Sequence, residues 1–161
     1  MAMKALAGGI EKADATVKPA GLGARDTLRM EAGMPLYGHE LTEDISPVQG
    51  GQAWALKLNK PDFIGKEALA EQVASDTYAR IAGLVMSGRA PAREGYKVYL
   101  GDREVGEIRS GSMAPAVDNK NIATALVVPE AATIGTTLEV EIRGTRHEAT
   151  VVALPFYKRA K

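Results

Sequence analysis

The second half of the chain consists of short runs of strand-forming residues separated by glycine-containing turns. Six runs occur, with no helical pattern between them, at residues 80–87, 97–100, 104–109, 122–128, 137–142 and 147–154. Gly101-Asp102 and Gly144-Thr145 stand where two-residue hairpin turns need a positive φ, so the strands on either side of each turn are predicted to form hairpins. Six short strands without helices predict a small β-barrel or sandwich.

The first half follows helix and loop patterns instead. Helix formers fill residues 21–33 and 65–74, and an alternating run at residues 53–58 predicts a strand. Residues 34–47 hold proline, glycine and an acidic run, so we expect an irregular segment at the surface. This half therefore has a mixed α and β character.

Asp76-Thr77 separates the two patterns and is the predicted domain boundary. The predicted fold class is an α+β remnant, residues 1–76, followed by a C-terminal all-β small barrel, residues 77–161. Residues 4–9 are typical of a helix end stopped by glycine, yet the turns that should precede this end are missing. We therefore expect the first part to be the remnant of a larger domain.

The predicted helix at residues 21–33 is amphipathic. Ala24, Leu28 and Ala32 recur at i, i+4 and i+8 and so share one face. Arg25 and Arg29 are four residues apart and lie together on a flank of the helix. The helix is predicted to carry an apolar face beside a basic one.

Composition narrows the function classes. The chain has 20 basic and 20 acidic side chains, so no overall field attracts phosphate backbones or anionic membranes. It has no cysteine, which excludes thiol redox chemistry and suits a cytoplasmic protein. Charged residues interrupt Met1 to Ala20, and no apolar window of about 20 residues occurs, so neither a signal peptide nor a membrane span is predicted. We expect a soluble, cytoplasmic protein without nucleic-acid or membrane partners.

The common catalytic and metal-binding motifs are absent from the sequence. Gly21-Leu-Gly23 begins like a dinucleotide fingerprint, but Asp26 replaces the third glycine and would repel a pyrophosphate. His39 lies in an acidic run with Glu40, Glu43 and Asp44, which could hold a cation, although a solvated acidic loop is the more usual role of such a run. No metal site is predicted.

One stretch is more specific than an ordinary amphipathic helix requires. Residues 21–41 read GLGARDTLRMEAGMPLYGHEL, and Ser46-Pro47, WALKL at residues 54–58 and DFIGKEAL at residues 62–69 follow in order. Residues 106–115, GEIRSGSMAP, and the closing Pro-Phe-Tyr continue the pattern. Together these motifs resemble the T protein of the glycine cleavage system, an aminomethyltransferase, with departures at Met30, Arg109 and Ala114.

The resemblance implies a fold of two ferredoxin-like layers and a terminal β-barrel around a central hole that holds tetrahydrofolate. It implies transfer of an aminomethyl carbon from the lipoyl arm of the H protein to tetrahydrofolate, with release of ammonia. The family's catalytic Asp and pterin-binding Glu are found nowhere in this sequence. We therefore expect the C-terminal part of such an enzyme, inactive alone, whose partners are the lipoyl H protein and the missing N-terminal half. No catalytic residue is assigned.

Arg25 matches the arginine of the family's Ala-Arg-Asp motif, which the resemblance implies to bind folate or substrate. A guanidinium stays charged at any working pH and can hold a carboxylate or carbonyl through paired donors. The alternative is a structural ion pair from Arg25 to Asp26 or Glu31.

Two aromatic side chains complete the predicted cofactor site. Tyr37 and Trp54 could line a folate pocket, because flat aromatic faces suit a pterin or benzoyl ring. Plain core packing is the alternative for both, and Trp54 lies in a predicted strand. Arg29 and Glu31 are expected to lock the helix to its neighbours.

Two other interpretations remain at this point. Related folate proteins share the barrel, including the C-terminal parts of sarcosine and dimethylglycine dehydrogenases and a demethylase. The second interpretation is a stand-alone barrel that binds a protein or single-stranded nucleic acid. It rests on Tyr96, Lys97, Tyr99 and Arg103, which cluster along two predicted strands.

Overall fold

A computed structural model describes residues 19–159, so the predicted helix end at residues 4–9 lies outside the described part. Two helices and six strands occur within that range, together with short 3-10 turns. In chain order they are α1 (Leu22–Glu31), α2 (Lys66–Ser75), β1 (Arg80–Met86), β2 (Lys97–Leu100), β3 (Arg103–Ala114), β4 (Lys120–Val127), β5 (Thr137–Ile142) and β6 (Thr145–Val152). The predicted class, an α+β remnant followed by a small all-β barrel, is confirmed, and the described part of the remnant is helical.

The six strands form a closed antiparallel barrel in the order β1-β4-β3-β2-β5-β6. Both predicted hairpins are present. Gly101 opens the first turn with a φ of 60°, which suits a two-residue turn with glycine at its first position. In the second turn the positive φ angles fall on Arg143 and Gly144, one residue earlier than predicted. Local turn chemistry therefore sets the register of these two strand pairs.

The barrel core follows the two-residue period of its strands. Along β5, exposed or half-buried positions alternate with buried ones, because successive side chains point to opposite faces. Several inward residues are alanines, which fit the narrow interior of a small barrel. The fully buried barrel side chains include Leu84, Val98, Ile108, Ala123, Ala125, Val127, Leu138, Val140 and Ala149.

The strand predicted at residues 53–58 is wrong. Ala53–Ala55 forms a short 3-10 turn, and Trp54 is 75% exposed. A lone strand needs a sheet edge to complete its hydrogen bonds, and the closed barrel offers none. Residues 53–58 therefore have no sheet edge to pair with, although their apolar residues alternate as in a strand.

Strand β3 runs from Arg103 to Ala114, beyond the predicted end at residue 109. The strand continues because it contains a bulge: Ile108 pairs with Ala125, and Ser110 pairs with Thr124, so Arg109 is an extra residue. Ile108 points into the core. After one inserted residue, Ser110 faces the outside of the barrel, as its partner Thr124 does. The bulge thus sets two hydroxyl groups side by side on the outer wall.

Helix α1 packs against that outer wall. Met30 is buried there with Ala114 and Ile122 in a second, smaller core. The carboxylate of Glu31 accepts a hydrogen bond of 2.8 Å from the Ala116 N–H, and its carbonyl accepts one of 2.9 Å from the Tyr157 N–H. The predicted locking role of Glu31 is confirmed.

We predict that Gly106→Ala destabilises the barrel. A Cβ at residue 106 would lie 2.0 Å from the carbonyl oxygen of Leu126 in β4, and backbone atoms cannot rotate away. The free energy of unfolding, measured by urea denaturation, should fall by about 1–3 kcal/mol, the usual cost of overpacking. Gly88→Ala is the matched control, because nothing lies within 4 Å of the Cβ that it would add. An unchanged midpoint for Gly106→Ala would contradict the pairing of β3 with β4.

Candidate functional site

An open cleft of about 1540 Å³ lies beside α1. It is lined by α1, by residues 34–36 and His39 of the following loop, and by residues 93–94 and 109–111 of the barrel domain. The bulged part of β3 thus contributes directly to the cleft, and so does the first turn of α1. The residues of α1 that line the cleft are Leu22, Ala24, Arg25, Asp26, Leu28 and Arg29.

A buried carboxylate holds the base of this region together. The side chain of Glu40 is 2% exposed. It accepts hydrogen bonds from the Thr124 hydroxyl at 2.5 Å, the Leu36 N–H at 2.8 Å and Arg29 Nη1 at 3.1 Å. One carboxylate therefore joins the barrel wall, the loop after α1 and α1 itself.

The guanidinium of Arg29 is hydrogen-bonded to other groups of the protein. Its Nε donates to Asp26 at 2.8 Å, and its Nη2 donates to the Ser110 hydroxyl at 3.0 Å. With the bond to Glu40, the guanidinium ties α1 to both the loop and β3. The prediction that Arg29 locks the helix to its neighbours is confirmed.

The pKa of Glu40 is lowered by its partners. Burial is the largest single effect and by itself would raise the pKa of this carboxyl, but hydrogen bonds from Ser110 and Thr124 act against it. The Leu36 N–H and the positive charge of Arg29 lower the pKa further, so that it falls below its ordinary value of 4.5. Glu40 is therefore ionised at neutral pH and pairs with Arg29 as a charged group. The prediction that Glu40 belongs to a solvated acidic loop is wrong.

Arg25 lies exposed on the first turn of α1 and lines the cleft. The partners considered for a structural ion pair are used elsewhere, since Asp26 pairs with Arg29 and Glu31 accepts from the Ala116 N–H. Among residues 19–159, Arg25 has no hydrogen bond or ion pair. The ion-pair alternative is thus wrong within this range, and the ligand role of Arg25 stays a prediction.

Tyr37 and Trp54 lie outside the cleft lining. Tyr37 is 72% exposed and Trp54 is 75% exposed, so neither packs in the core, which was the alternative for both. The structure does not bring them together with Arg25 around the cleft. Their contact with a cofactor stays a prediction.

His39 and Arg109 fasten the loop to the barrel. His39 Nδ1 lies 3.0 Å from the Arg109 carbonyl oxygen and 3.3 Å from Glu94 Oε2. Arg109 Nε donates to the His39 carbonyl at 2.8 Å, and its Nη1 donates to Glu107 at 2.6 Å. Within residues 19–159 no three histidine or acidic side chains converge as a metal site.

Sequence reasoning missed Glu40, Ser110 and Thr124 as a unit. Thr124 is 84 positions from Glu40 along the chain, and no local periodicity links such distant residues. The presence of hydroxyl and carboxylate residues was only a weak signal, because both residue types are common on protein surfaces.

Among residues 19–159, no helix combines the length and apolar character needed to cross a lipid bilayer.

Comparisons with known proteins agree with this architecture. Residues 80–158 match the family described as "Glycine cleavage T-protein C-terminal barrel domain", and residues 5–60 match "GCVT N-terminal domain". The chain is 46% identical over 161 residues to the aminomethyltransferase of Lysinibacillus sphaericus and 48% identical over 145 residues to that of Synechococcus elongatus. These matches cover 99% and 89% of this chain, but 44% and 39% of the relatives.

A solved structure shows the same fold. The glycine cleavage system aminomethyltransferase T from Bartonella henselae has a TM-score of 0.83 and 31% identity, covering 89% of this chain and 41% of that one. The fold and these matches together show that the chain is part of a transferase. The chain belongs to the glycine cleavage T-protein family, and it spans about two fifths of the length of the aminomethyltransferases that it matches.

We predict that Glu40→Gln destabilises the protein at neutral pH. Arg29 would lose a buried charged partner, which costs roughly 3 kcal/mol when one member of such a pair is removed. Because the pKa of Glu40 is lower in the folded state, the stabilisation is present above about pH 4.5 and is lost as the pH falls through the folded pKa. The difference between wild type and variant should therefore shrink on acidification.

Urea denaturation over a series of pH values measures this difference. Glu43→Gln is the matched control, because Glu43 is exposed in the same acidic run and its loss should change the midpoint little at any pH. A difference between wild type and Glu40→Gln that keeps its neutral-pH value as the pH falls below about 4.5 would contradict an ionised, buried Glu40.

Proposed function

We propose that this chain is the C-terminal part of a tetrahydrofolate-dependent aminomethyltransferase. The complete enzyme would transfer the aminomethyl carbon from the lipoyl arm of the H protein to tetrahydrofolate, with release of ammonia. Family membership supports the transferase class. The observation that carries the ligand assignment is Arg25, an exposed cation without a partner among the described residues, on the wall of a large cleft.

The residues on this wall fit a folate. Leu22 and Leu28 flank Arg25 three positions away on either side, and all three line the cleft. Apolar side chains suit flat rings, whereas a guanidinium suits a carboxylate or a ring carbonyl. Tetrahydrofolate would supply the nitrogen atoms that accept the carbon. Arg25 would bind and orient it, and we propose Tyr37 and Trp54 as further contacts from surfaces that are exposed in this structure.

The remaining parts of the proposal concern organisation. Residues 1–76 would belong to the folate-binding domain and residues 77–161 to the C-terminal barrel, with the N-terminal half of the same enzyme and the lipoyl H protein as partners. The cytoplasm is the proposed compartment. The isolated chain would be inactive, because the family's catalytic Asp has no counterpart in this sequence and the cleft is open to water.

The structure does not support the alternative of a stand-alone barrel that binds single-stranded nucleic acid, because its cations are paired. Lys97 lies 3.2 Å from Glu104 and 3.5 Å from Glu107, and Arg103 lies 2.8 Å from Glu130. The cations of that cluster are thus paired with acidic side chains. Single-stranded nucleic acid is bound by free cations interleaved with aromatic faces, so no described contact favours this function.

We predict that the isolated chain shows no glycine cleavage when it is assayed with lipoyl H protein and tetrahydrofolate. Adding the N-terminal part of the L. sphaericus relative ahead of the matched region should supply the missing acid and restore turnover. The same joined protein without H protein is the control. Turnover by the isolated chain at the rate of the joined protein would refute its proposed inactivity.

We predict that Arg25→Ala in the joined protein weakens tetrahydrofolate binding by roughly ten- to a hundredfold, the range for losing a hydrogen bond to a charged group. Arg25→Lys should also weaken binding, because lysine keeps the charge but loses the planar fork. Calorimetric titration measures affinity, and the melting temperature of the isolated chain should stay unchanged, since Arg25 is exposed there. Arg89→Ala, which removes an exposed cation outside this cleft, is the control. A lowered melting temperature with unchanged affinity would show a structural arginine.

A further inference from the structure

The imidazole of His39 has one nitrogen bound to the protein and one nitrogen without a partner. Nδ1 lies 3.0 Å from the Arg109 carbonyl oxygen and 3.3 Å from Glu94 Oε2. Nε2 has no hydrogen bond within residues 19–159 and is accessible to solvent. The side chain is 33% exposed and lines the cleft. The atom that His39 offers to an occupant of the cleft is therefore Nε2.

The partners of Nδ1 determine which nitrogen of the neutral ring carries the hydrogen. A carbonyl oxygen can only accept, so Nδ1 must carry the hydrogen in order to bind the Arg109 carbonyl. The carboxylate of Glu94 also accepts and favours the same tautomer. A neutral imidazole has a single N–H, so Nε2 then holds a lone pair. His39 is thus held as a hydrogen-bond acceptor at the cleft.

The surrounding backbone holds the ring in position. Arg109 is the extra residue of the bulge and has no partner in β4, so its carbonyl is available to His39. In return, Arg109 Nε donates to the His39 carbonyl at 2.8 Å. The Gly95 N–H donates to the Ile108 carbonyl at 2.9 Å, which keeps the adjacent Glu94 beside β3. An acceptor that is already fixed loses little freedom when it binds a ligand.

The other charged side chains of the cleft favour an acceptor at this position. Guanidinium groups can only donate hydrogen bonds, and the cleft lining contains Arg25, Arg29, Arg93 and Arg109. The carboxylate of Asp26, which also lines the cleft, already accepts from Arg29. A ligand that offers both a carboxylate or carbonyl and an N–H group needs an acceptor in addition to Arg25. His39 Nε2 is an acceptor that needs no rearrangement.

We propose that Nε2 of His39 accepts a hydrogen bond from an N–H group of the ligand in the cleft. The inference rests on the proposed function and adds a contact residue to the site of Arg25. Glu94 is a positioning residue, because it acts on the ligand only through Nδ1 of His39. The N–H group has two possible sources, which are tetrahydrofolate and the aminomethyl nitrogen carried by the lipoyl arm.

Nitrogen NMR of the imidazole rings measures the tautomer in the isolated chain. The chain has two histidines, so a His147→Gln variant assigns their signals. Above about pH 8, where histidine side chains are ordinarily neutral, Nδ1 of His39 should have the chemical shift of a nitrogen that carries hydrogen, and Nε2 that of a nitrogen without one. The opposite assignment would overturn the proposal, because Nε2 would then be a donor.

His39→Asn separates the ligand contact from the contact that fastens the loop. The asparagine amide nitrogen lies at the same bonded distance from Cα as Nδ1 and can donate to the Arg109 carbonyl, but no atom replaces Nε2. In the joined protein, ligand affinity should fall by roughly two- to tenfold, the range for one hydrogen bond, while the melting temperature stays nearly unchanged. Calorimetric titration measures the affinity. His147→Asn is the matched control, because His147 lies outside the cleft lining.

His39→Gln is the converse variant. Its Oε1 lies at the same bonded distance from Cα as Nε2 and can accept, but no donor remains for the Arg109 carbonyl. This variant should have a lower melting temperature than His39→Asn and a ligand affinity closer to wild type. If His39→Gln is instead both the less stable and the weaker binder of the two, His39 has only a structural role and the proposal is refuted.

Two titrations of the joined protein distinguish the sources of the N–H group. Weaker binding of tetrahydrofolate by His39→Asn would assign the contact to folate. Weaker binding of H protein with an aminomethylated lipoyl arm, but not of H protein with a dihydrolipoyl arm, would assign it to the amine. Unchanged affinity for both ligands in His39→Asn would overturn the proposal.

The same titrations separate this proposal from the proposed function. A wild-type joined protein that binds only the H protein would refute the folate assignment, and the aminomethylated arm would still test His39. Tetrahydrofolate binding that is sensitive to Arg25→Ala, with both ligands insensitive to His39→Asn, would refute the role of His39 alone. A joined protein that binds neither ligand would overturn both proposals.

Discussion

The arrangement of the site depends on the buried carboxylate of Glu40. It lies against the outer wall of the barrel, where Ser110 and Thr124 sit side by side, and it is bound by Arg29 from α1 and by the Leu36 N–H from the following loop. A buried charge is stable only when its hydrogen bonds and its counter-ion are in place. The helix, the loop and the barrel must therefore all be positioned before the carboxylate is satisfied, and this requirement fixes their relative orientation.

The closed barrel explains why α1 and the loop after it are hydrogen-bonded to β3 and β4 through side chains. Closure leaves no free strand edge, so no described segment outside the barrel extends the sheet. One irregularity in the barrel makes the attachment possible. The bulge at Arg109 turns Ser110 outward beside Thr124 and lets Arg109 itself fasten the loop through the His39 carbonyl. Bulges are common next to functional sites because they redirect side chains in this way.

The Glu40 contact also determines which side of α1 meets the cleft. Arg29 is committed to internal partners, whereas Arg25, four residues earlier on the same flank, is left without one in the described part of the chain. The two arginines have the same side-chain chemistry and lie on the same helix. Their different roles arise from a tertiary contact, and Leu22 and Leu28 on the same helix stay exposed.

The sequence by itself determined the two helices, the six strands, both hairpins and the family, because periodicity, turn residues and an extended motif are local properties. Its motif also indicated Arg25, and the structure leaves that residue available. Only the tertiary structure decided that residues 53–58 form no strand, that Glu40 is buried, and that the apolar side of α1 faces outward. These outcomes depend on pairings across the chain, such as Glu40 with Thr124, and on barrel closure. A sequence pattern records which face of an element is apolar, but whether that face is covered depends on which distant groups satisfy the opposite face.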